Sequence, residues 1–127
     1  MNIITLSNGK KVANFSSPHS FTFEDGSVLP AVSNEEAERL KVTFIETEVG
    51  NGDIELSFDL SRDVIKAMNM WQKAYEQGFV KVVFCPLPMI TAMKGSYLRN
   101  WLKEGPFRAI RMVDRINKTV SINKQCL

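Results

Sequence analysis

The chain reads as a single α+β domain spanning residues 1–127, with an antiparallel β-rich N-terminal part, one long amphipathic helix, then short C-terminal helices and a β-hairpin. Three observations predict this. Asn8-Gly9 and Asp25-Gly26 each separate short β-prone runs, and such pairs adopt the backbone of tight hairpin turns with ease. Apolar residues between positions 62 and 77 recur at steps of three and four, the spacing of one helix face. A length of 127 residues supplies one sizeable core and is too short for two ordinary domains.

In chain order, residues 3–6 and 12–15 flank Asn8-Gly9 as the first hairpin. After a loop at 16–20, Phe21 and Phe23 alternate with polar neighbours up to Asp25-Gly26; Val28 and Leu29 return before Pro30 stops pairing, which gives a second hairpin. Ser33 stands three residues before Glu36, the spacing of a capping box, and Ala37, Arg39 and Leu40 continue a short helix. Residues 42–48 and 54–58 are strands joined across 50–53, expected to extend the sheet. The main helix runs over 62–77, with Ser61 capping its start and Gly78 closing its end in the left-handed conformation. Its stripe of Val64, Met68, Trp71 and Tyr75, with Ile65 alongside, suits a core or a subunit interface, and it is the natural surface for a dimer. Residues 79–84 form a buried or interface strand ended by Pro86 and Pro88. Residues 89–94 and 97–103 are short helices separated by Gly95, the second ended by Gly105-Pro106. Residues 107–115 and 119–124 make a last hairpin around Asn117-Lys118.

Sixteen basic and fourteen acidic residues, mixed along the chain, leave a net charge of +2, so no broad electrostatic surface for duplex DNA or an anionic membrane is expected. Any anion site must be local. No apolar run approaches the ~18 residues of a membrane span, and the N-terminal residues turn polar too soon for a signal peptide. A reduced, cytoplasmic protein is therefore expected. Cys85 and Cys126 lie far apart with no CxxC or Cys/His cluster, so neither a metal nor a cofactor is expected. The single histidine, His19, has Ser16, Ser17 and Ser20 around it, but adjacency in sequence is not triad geometry. Glu24 and Asp25 precede a glycine and suit turn chemistry. With no Walker loop, no GxGxxG and no calcium loop, the chain is expected to bind and not to catalyse.

The chemistry that remains is concentrated near the C-terminus. Between 107 and 116 the pattern has period two: Ile110, Met112 and Ile116 face one side with Asp114 among them, while Arg111, Val113 and Arg115 face the other. Arg108, Arg111 and Arg115 offer planar guanidinium forks that bind phosphate or carboxylate bidentately. Asp114 on the apolar side needs a partner, either a neighbouring arginine or the donor edge of a base or ribose. An arginine-bordered edge strand with an internal ion pair would carry the same residues. Phe84, just before Pro86-Leu87-Pro88, supplies an aromatic plane for stacking a purine, or else a core side chain.

The pattern Pro18-His19-x-Phe21-x-Phe23-Glu24-Asp25-Gly26-x-x-Leu29-Pro30, with Pro86-x-Pro88 and Arg111-x-x-Asp114-Arg115, resembles a family of small phage and prophage proteins, the first-described type of anti-Thoeris sponge. The resemblance covers most of the chain. It implies a viral anti-defence protein that sequesters a cyclic ADP-ribose isomer, made by bacterial immune enzymes as an alarm signal, without cleaving it. It places the base-stacking pair on Phe84 and Arg111, with Asp114 and Arg115 as ribose and phosphate contacts. Lys94 departs from the pattern, standing near where the family carries a neutral amide. Some members assemble as hexamers and take cyclic oligonucleotides at a second set of sites.

The expectation is thus a binding protein of the bacterial host cytoplasm, a homodimer or a homohexamer, that traps a cyclic nucleotide between subunits. Two other classes stay open. An inhibitor of a host enzyme acting by direct protein contact would form a stable complex and retain no small molecule. A nucleotide-degrading enzyme would release product with turnover.

Overall fold

The structure is a computed structural model describing residues 2–127. Gly9 at φ +84° turns β1 (Ile3–Thr5) into β2 (Lys11–Asn14), and Gly26 at φ +88° turns β3 (Phe21–Phe23) into β4 (Val28–Leu29). Both glycines occupy a backbone region that a Cβ disfavours. α1 (Asn34–Arg39) begins where Ser33 Oγ accepts the Glu36 amide at 3.2 Å; Glu36 turns its carboxylate to Arg39, so half of the capping box forms. β5 (Thr43–Gly50) and β6 (Asp53–Asp59) follow. α2 (Arg62–Glu76) is capped by Ser61 Oγ on the Val64 amide at 3.3 Å. β7 (Val82–Phe84) stops before Pro86, which leads into α3 (Leu87–Lys94). α4 (Arg99–Glu104) ends at Gly105, where a Cβ would collide with the Trp101 carbonyl oxygen and the Gln72 amide oxygen. β8 (Phe107–Arg108), β9 (Met112–Asp114) and β10 (Thr119–Val120) complete the chain.

The two N-terminal hairpins are antiparallel, as expected, but they do not pair with each other. Each takes up strands from the C-terminal half. β2 pairs in parallel with β7, and β7 in parallel with β8, giving a first sheet of order β1-β2-β7-β8. β3 pairs in parallel with β10, and β10 antiparallel with β9, giving a second sheet of order β4-β3-β10-β9. In both sheets an early pair of strands lies beside a late pair.

Alternation along β2 and β7 then decides the layers. Ala13 and Val83 point into a core shared with Val64 and Met68 of α2, Met89 of α3 and Leu102 of α4. Val12, Val82 and Phe84 point the other way, into a second core with Phe23, Leu29 and Val120. The first sheet is therefore covered by helices on one face and by the second sheet on the other, which is why residues 82–84 are apolar without a break. Met68 is fully buried and Trp71 is 6% exposed, both against their own chain's core, with Tyr75 partly buried beside them. The α2 stripe is consumed by intramolecular packing, which corrects its expected use as a dimer surface.

Two further expectations change. Residues 107–115 do not form one strand: Phe107 and Ala109 belong to the helix-side core, while residues 112–114 have crossed to the second sheet. β9 also bulges, since Thr119 faces Asp114 but Val120 faces Met112. The bulge and the turn after it break the alternation, so Met112 is 38% and Ile116 91% exposed where packing was expected. β5 and β6 pair only with each other, as a separate ribbon, and extend neither sheet. No helix among the described residues is long and apolar enough to cross a membrane.

The Glu24-Asp25 pair ties these layers together. Glu24 Oε1 accepts the Ile122 amide at 3.0 Å, and Asp25 accepts the amides of Ser7 and Ser27, each at 2.8 Å. Hydrogen bonds from those amides, Ser7 first, hold the Asp25 carboxyl at about 2, below its ordinary 3.8. Asp114 is lowered in the same direction, chiefly by the Asn117 amide. A carboxyl depressed in the fold contributes stability above its ordinary value and loses it as pH falls toward the depressed one. Urea midpoints of the wild type should therefore fall between about pH 4 and about pH 2, and Asp25→Asn should flatten that fall. An equally steep fall in the variant would remove Asp25 from the account.

Candidate functional site

Asn14 closes β2 as a buried polar residue, and its amide is fully used. Oδ1 accepts the Ser17 amide at 2.9 Å, while Nδ2 donates to the carbonyls of Ser17 at 2.9 Å and Pro30 at 3.1 Å. These bonds fix residues 16–18 beside the end of β7, where an apolar cleft of about 460 Å³ opens between Pro18, Phe21, Phe84, Pro86 and Ile110. Its size lies within the ~300–1,000 Å³ common for small-molecule sites. Phe84 forms part of the cleft wall while 4% exposed, its ring inclined at 48° to Phe23 with centroids 5.8 Å apart. It is both core and lining.

A second groove, of about 660 Å³, is lined by Ile110, Arg111, Met112, Arg115, Lys118 and Cys126. Ile110 and Cys126 line both spaces, so the apolar cleft borders a basic groove. Ion pairs among the described residues are confined to Arg39–Glu36 and Lys41–Glu38. Arg111, Arg115 and Lys118 thus share one groove with no carboxylate paired to any of them. An apolar cleft bordered by three unpaired cations can hold an amphipathic anion, with its flat part desolvated and its charged part on the guanidinium forks.

The residues singled out in the sequence fall in three places. Phe84 lies in the cleft, and Arg111 and Arg115 lie in the groove. Phe84 and Arg111 do not line the same space; Ile110 and Cys126 join them. Asp114 caps its own turn: Oδ1 accepts the amides of Ile116 at 2.9 Å and Asn117 at 3.2 Å, and Oδ2 accepts Asn117 Nδ2 at 2.8 Å. Its partners are the local backbone and the Asn117 side chain, not an arginine. Arg108 donates to the carbonyls of Phe107 at 2.7 Å and Gly105 at 3.2 Å, half-buried and outside both spaces, and burial lowers its pKa. His19 is exposed, and only its main chain is tied, to Ser17 Oγ. Lys94 Nζ donates to the Leu127 carbonyl at 3.0 Å, holding the chain beyond Cys126. No cluster of metal-ligating side chains occurs among the described residues.

Asn14, Ile110, Lys118 and Cys126 were not anticipated. Asn14 leaves a trace, a polar residue closing the apolar run Val12-Ala13. Cys126 leaves none, because it reaches the cleft through main-chain bonds with Ala109, 2.7 and 2.8 Å long, that no local pattern encodes. The two thiols differ sharply. Cys85 is buried and burial pushes its pKa up, whereas Cys126 is exposed at the junction of cleft and groove. Iodoacetamide should label one thiol per folded chain, at Cys126, and an occupant spanning cleft and groove should slow that labelling. Equal labelling of Cys85, read by peptide mass mapping, would contradict the placement.

No protein-family model, curated protein or solved structure matches this chain, so what the site holds follows from its own chemistry.

Proposed function

We propose that this protein is a viral anti-defence sponge: it captures a cyclic ADP-ribose-type immune signal in the cytoplasm of a bacterial host, as a homodimer, and does not cleave it. The observation that carries the reading is convergence. Pro18 and Phe21 from the first sequence pattern, and Phe84 and Pro86 near the second, line one cleft, while Arg111 and Arg115 line the groove that borders it. A cyclic ADP-ribose isomer has a flat purine and two phosphates close together. The purine fits the apolar cleft against the Phe84 and Phe21 side, and the diphosphate fits the groove, where three cations oppose two negative charges.

The chain's own groups do the holding. Arg111 and Arg115 form charge-assisted bonds to phosphate oxygens, Lys118 adds a point charge, and Asn14 keeps the 16–18 wall in place. Activating water for cleavage needs a positioned base or a metal; among the described residues no acid or histidine side chain lines the cleft or the groove, which supports capture over cleavage. Release is then dissociation of the intact nucleotide.

Titrating the protein with a glycocyclic ADP-ribose should remove free ligand at a fixed ratio to protein, and heating should return it chemically unchanged. Product in excess of the protein concentration would replace the sponge by an enzyme. By titration calorimetry Arg111→Ala should weaken capture by about 1.5–3 kcal/mol, roughly 10- to 150-fold, while Arg108→Ala should leave it unchanged. Unaltered affinity in a folded Arg111→Ala variant would take the groove out of the site.

A further inference from the structure

The β5–β6 ribbon is the part of the chain least explained by the fold. Residues 43–57 are all exposed, and two strands without further partners are marginal in water. Its two faces differ. The cross-strand pairs Phe44–Phe58, Glu46–Leu56 and Glu48–Ile54 share one face, so Phe44, Ile54, Leu56 and Phe58 form an apolar strip bordered by two glutamates. Phe44, Ile54 and Leu56 are each more than half exposed. Thr43, Thr47, Ser57, Glu55 and Asp59, with Ile45, occupy the other face. Rooting is at one end: the Phe44 and Phe58 rings meet at 4.6 Å, and Phe44 lies in a groove with Leu40, Val42 and Met89. Such a strip marks a docking surface.

Charge says what covers it. Five acidic residues and no basic residue lie within 43–59, so the ribbon carries −5 and the rest of the chain +7. Packing two such strips face to face would set Glu46 and Glu48 of both copies against one another within two ribbons of −5 each, which like-charge repulsion opposes. The body has an opposite surface. Lys10, Lys11 and Lys81 meet in a groove of about 590 Å³ with Tyr75, beside Phe79, which is 57% exposed. None of the three lysines is paired with a carboxylate, and burial together with Lys81 lowers the pKa of Lys10. We infer that the β5–β6 ribbon of one copy docks its Phe44/Ile54/Leu56 strip and Glu46/Glu48 border into the Lys10/Lys11/Lys81 groove of a second copy. Made twice about a two-fold axis, this contact closes a dimer. It rests on the dimer of the reading above and not on what the cleft binds.

Sedimentation velocity tests it with charge exchange. The wild type should run at twice the 14.4 kDa chain mass. A ribbon variant, Glu46→Lys with Glu48→Lys, and a groove variant, Lys11→Glu with Lys81→Glu, should each run as folded monomers by circular dichroism. Mixing the two should restore a heterodimer. A monomeric wild type would leave the ribbon to another kind of partner and overturn the proposal. So would assembly persisting in either single variant, or folded variants that fail to combine. Nucleotide titration of the same samples separates the two readings: an assembled wild type that captures nothing refutes the sponge and leaves the ribbon contact standing.

Discussion

The main-chain ladder between β7 and β8 is the interaction on which the rest of the site depends. The Val83 amide donates to the Pro106 carbonyl at 2.9 Å, and the Cys85 amide donates to the Arg108 carbonyl at 2.8 Å. These two bonds set Phe84 level with Arg108 and leave the next residues, Ala109 and Ile110, beside the cleft. Ala109 then bonds Cys126 in both directions, and the Ser121 amide donates to the Arg111 carbonyl at 2.8 Å, which hands the chain to the second sheet. Three residues, 109–111, thus pass from one layer to the next. The passage puts an apolar wall and a row of cations side by side, because Ile110 still packs inward while Arg111 has already reached solvent.

Burial of the first sheet on both faces makes this passage necessary. A sheet covered by helices on one side needs apolar residues only on alternate positions, yet Val82, Val83 and Phe84 are all buried. The second sheet supplies the other cover, and its β9 and β10 come from the same C-terminal stretch that provides β8. The carboxylates of the Glu24-Asp25 turn fasten that cover by accepting amides from Ile122, Ser7 and Ser27. Residues in the first resemblance pattern therefore split into three tasks: Glu24, Asp25 and Gly26 build the joint, Phe23 and Leu29 pack in the second core, and Pro18 and Phe21 line the cleft.

Local signals in the sequence match the structure where the chemistry is local. Gly9 and Gly26 turn their hairpins, Ser33 and Ser61 cap their helices, and the 62–77 periodicity matches α2 closely. What could not be read was pairing at a distance. Nothing in residues 11–14 states that β2 will pair in parallel with β7 some seventy positions later, or that the strand pattern at 107–115 will be divided between sheets. The same limit governs the site. Arg111, Arg115 and Phe84 stand out by residue type, whereas Asn14, Ile110 and Cys126 take part through contacts that only the folded chain brings together. Asp114 drew notice as a carboxylate among arginines, and its turn-capping bonds are the local alternative that won. For the α2 stripe, core packing and interface packing have one signature, and the helix-side face of the first sheet, with α3 and α4, decided for the core.

The central claim is that the apolar cleft and the basic groove act as one site. Nuclear magnetic resonance of the labelled protein titrated with a glycocyclic ADP-ribose tests this most directly. The signals of Phe84 and Ile110 on the cleft side, and of Arg111, Arg115 and Lys118 on the groove side, should shift together and saturate on a single binding curve. Shifts confined to one set, or two curves with different midpoints, would contradict it.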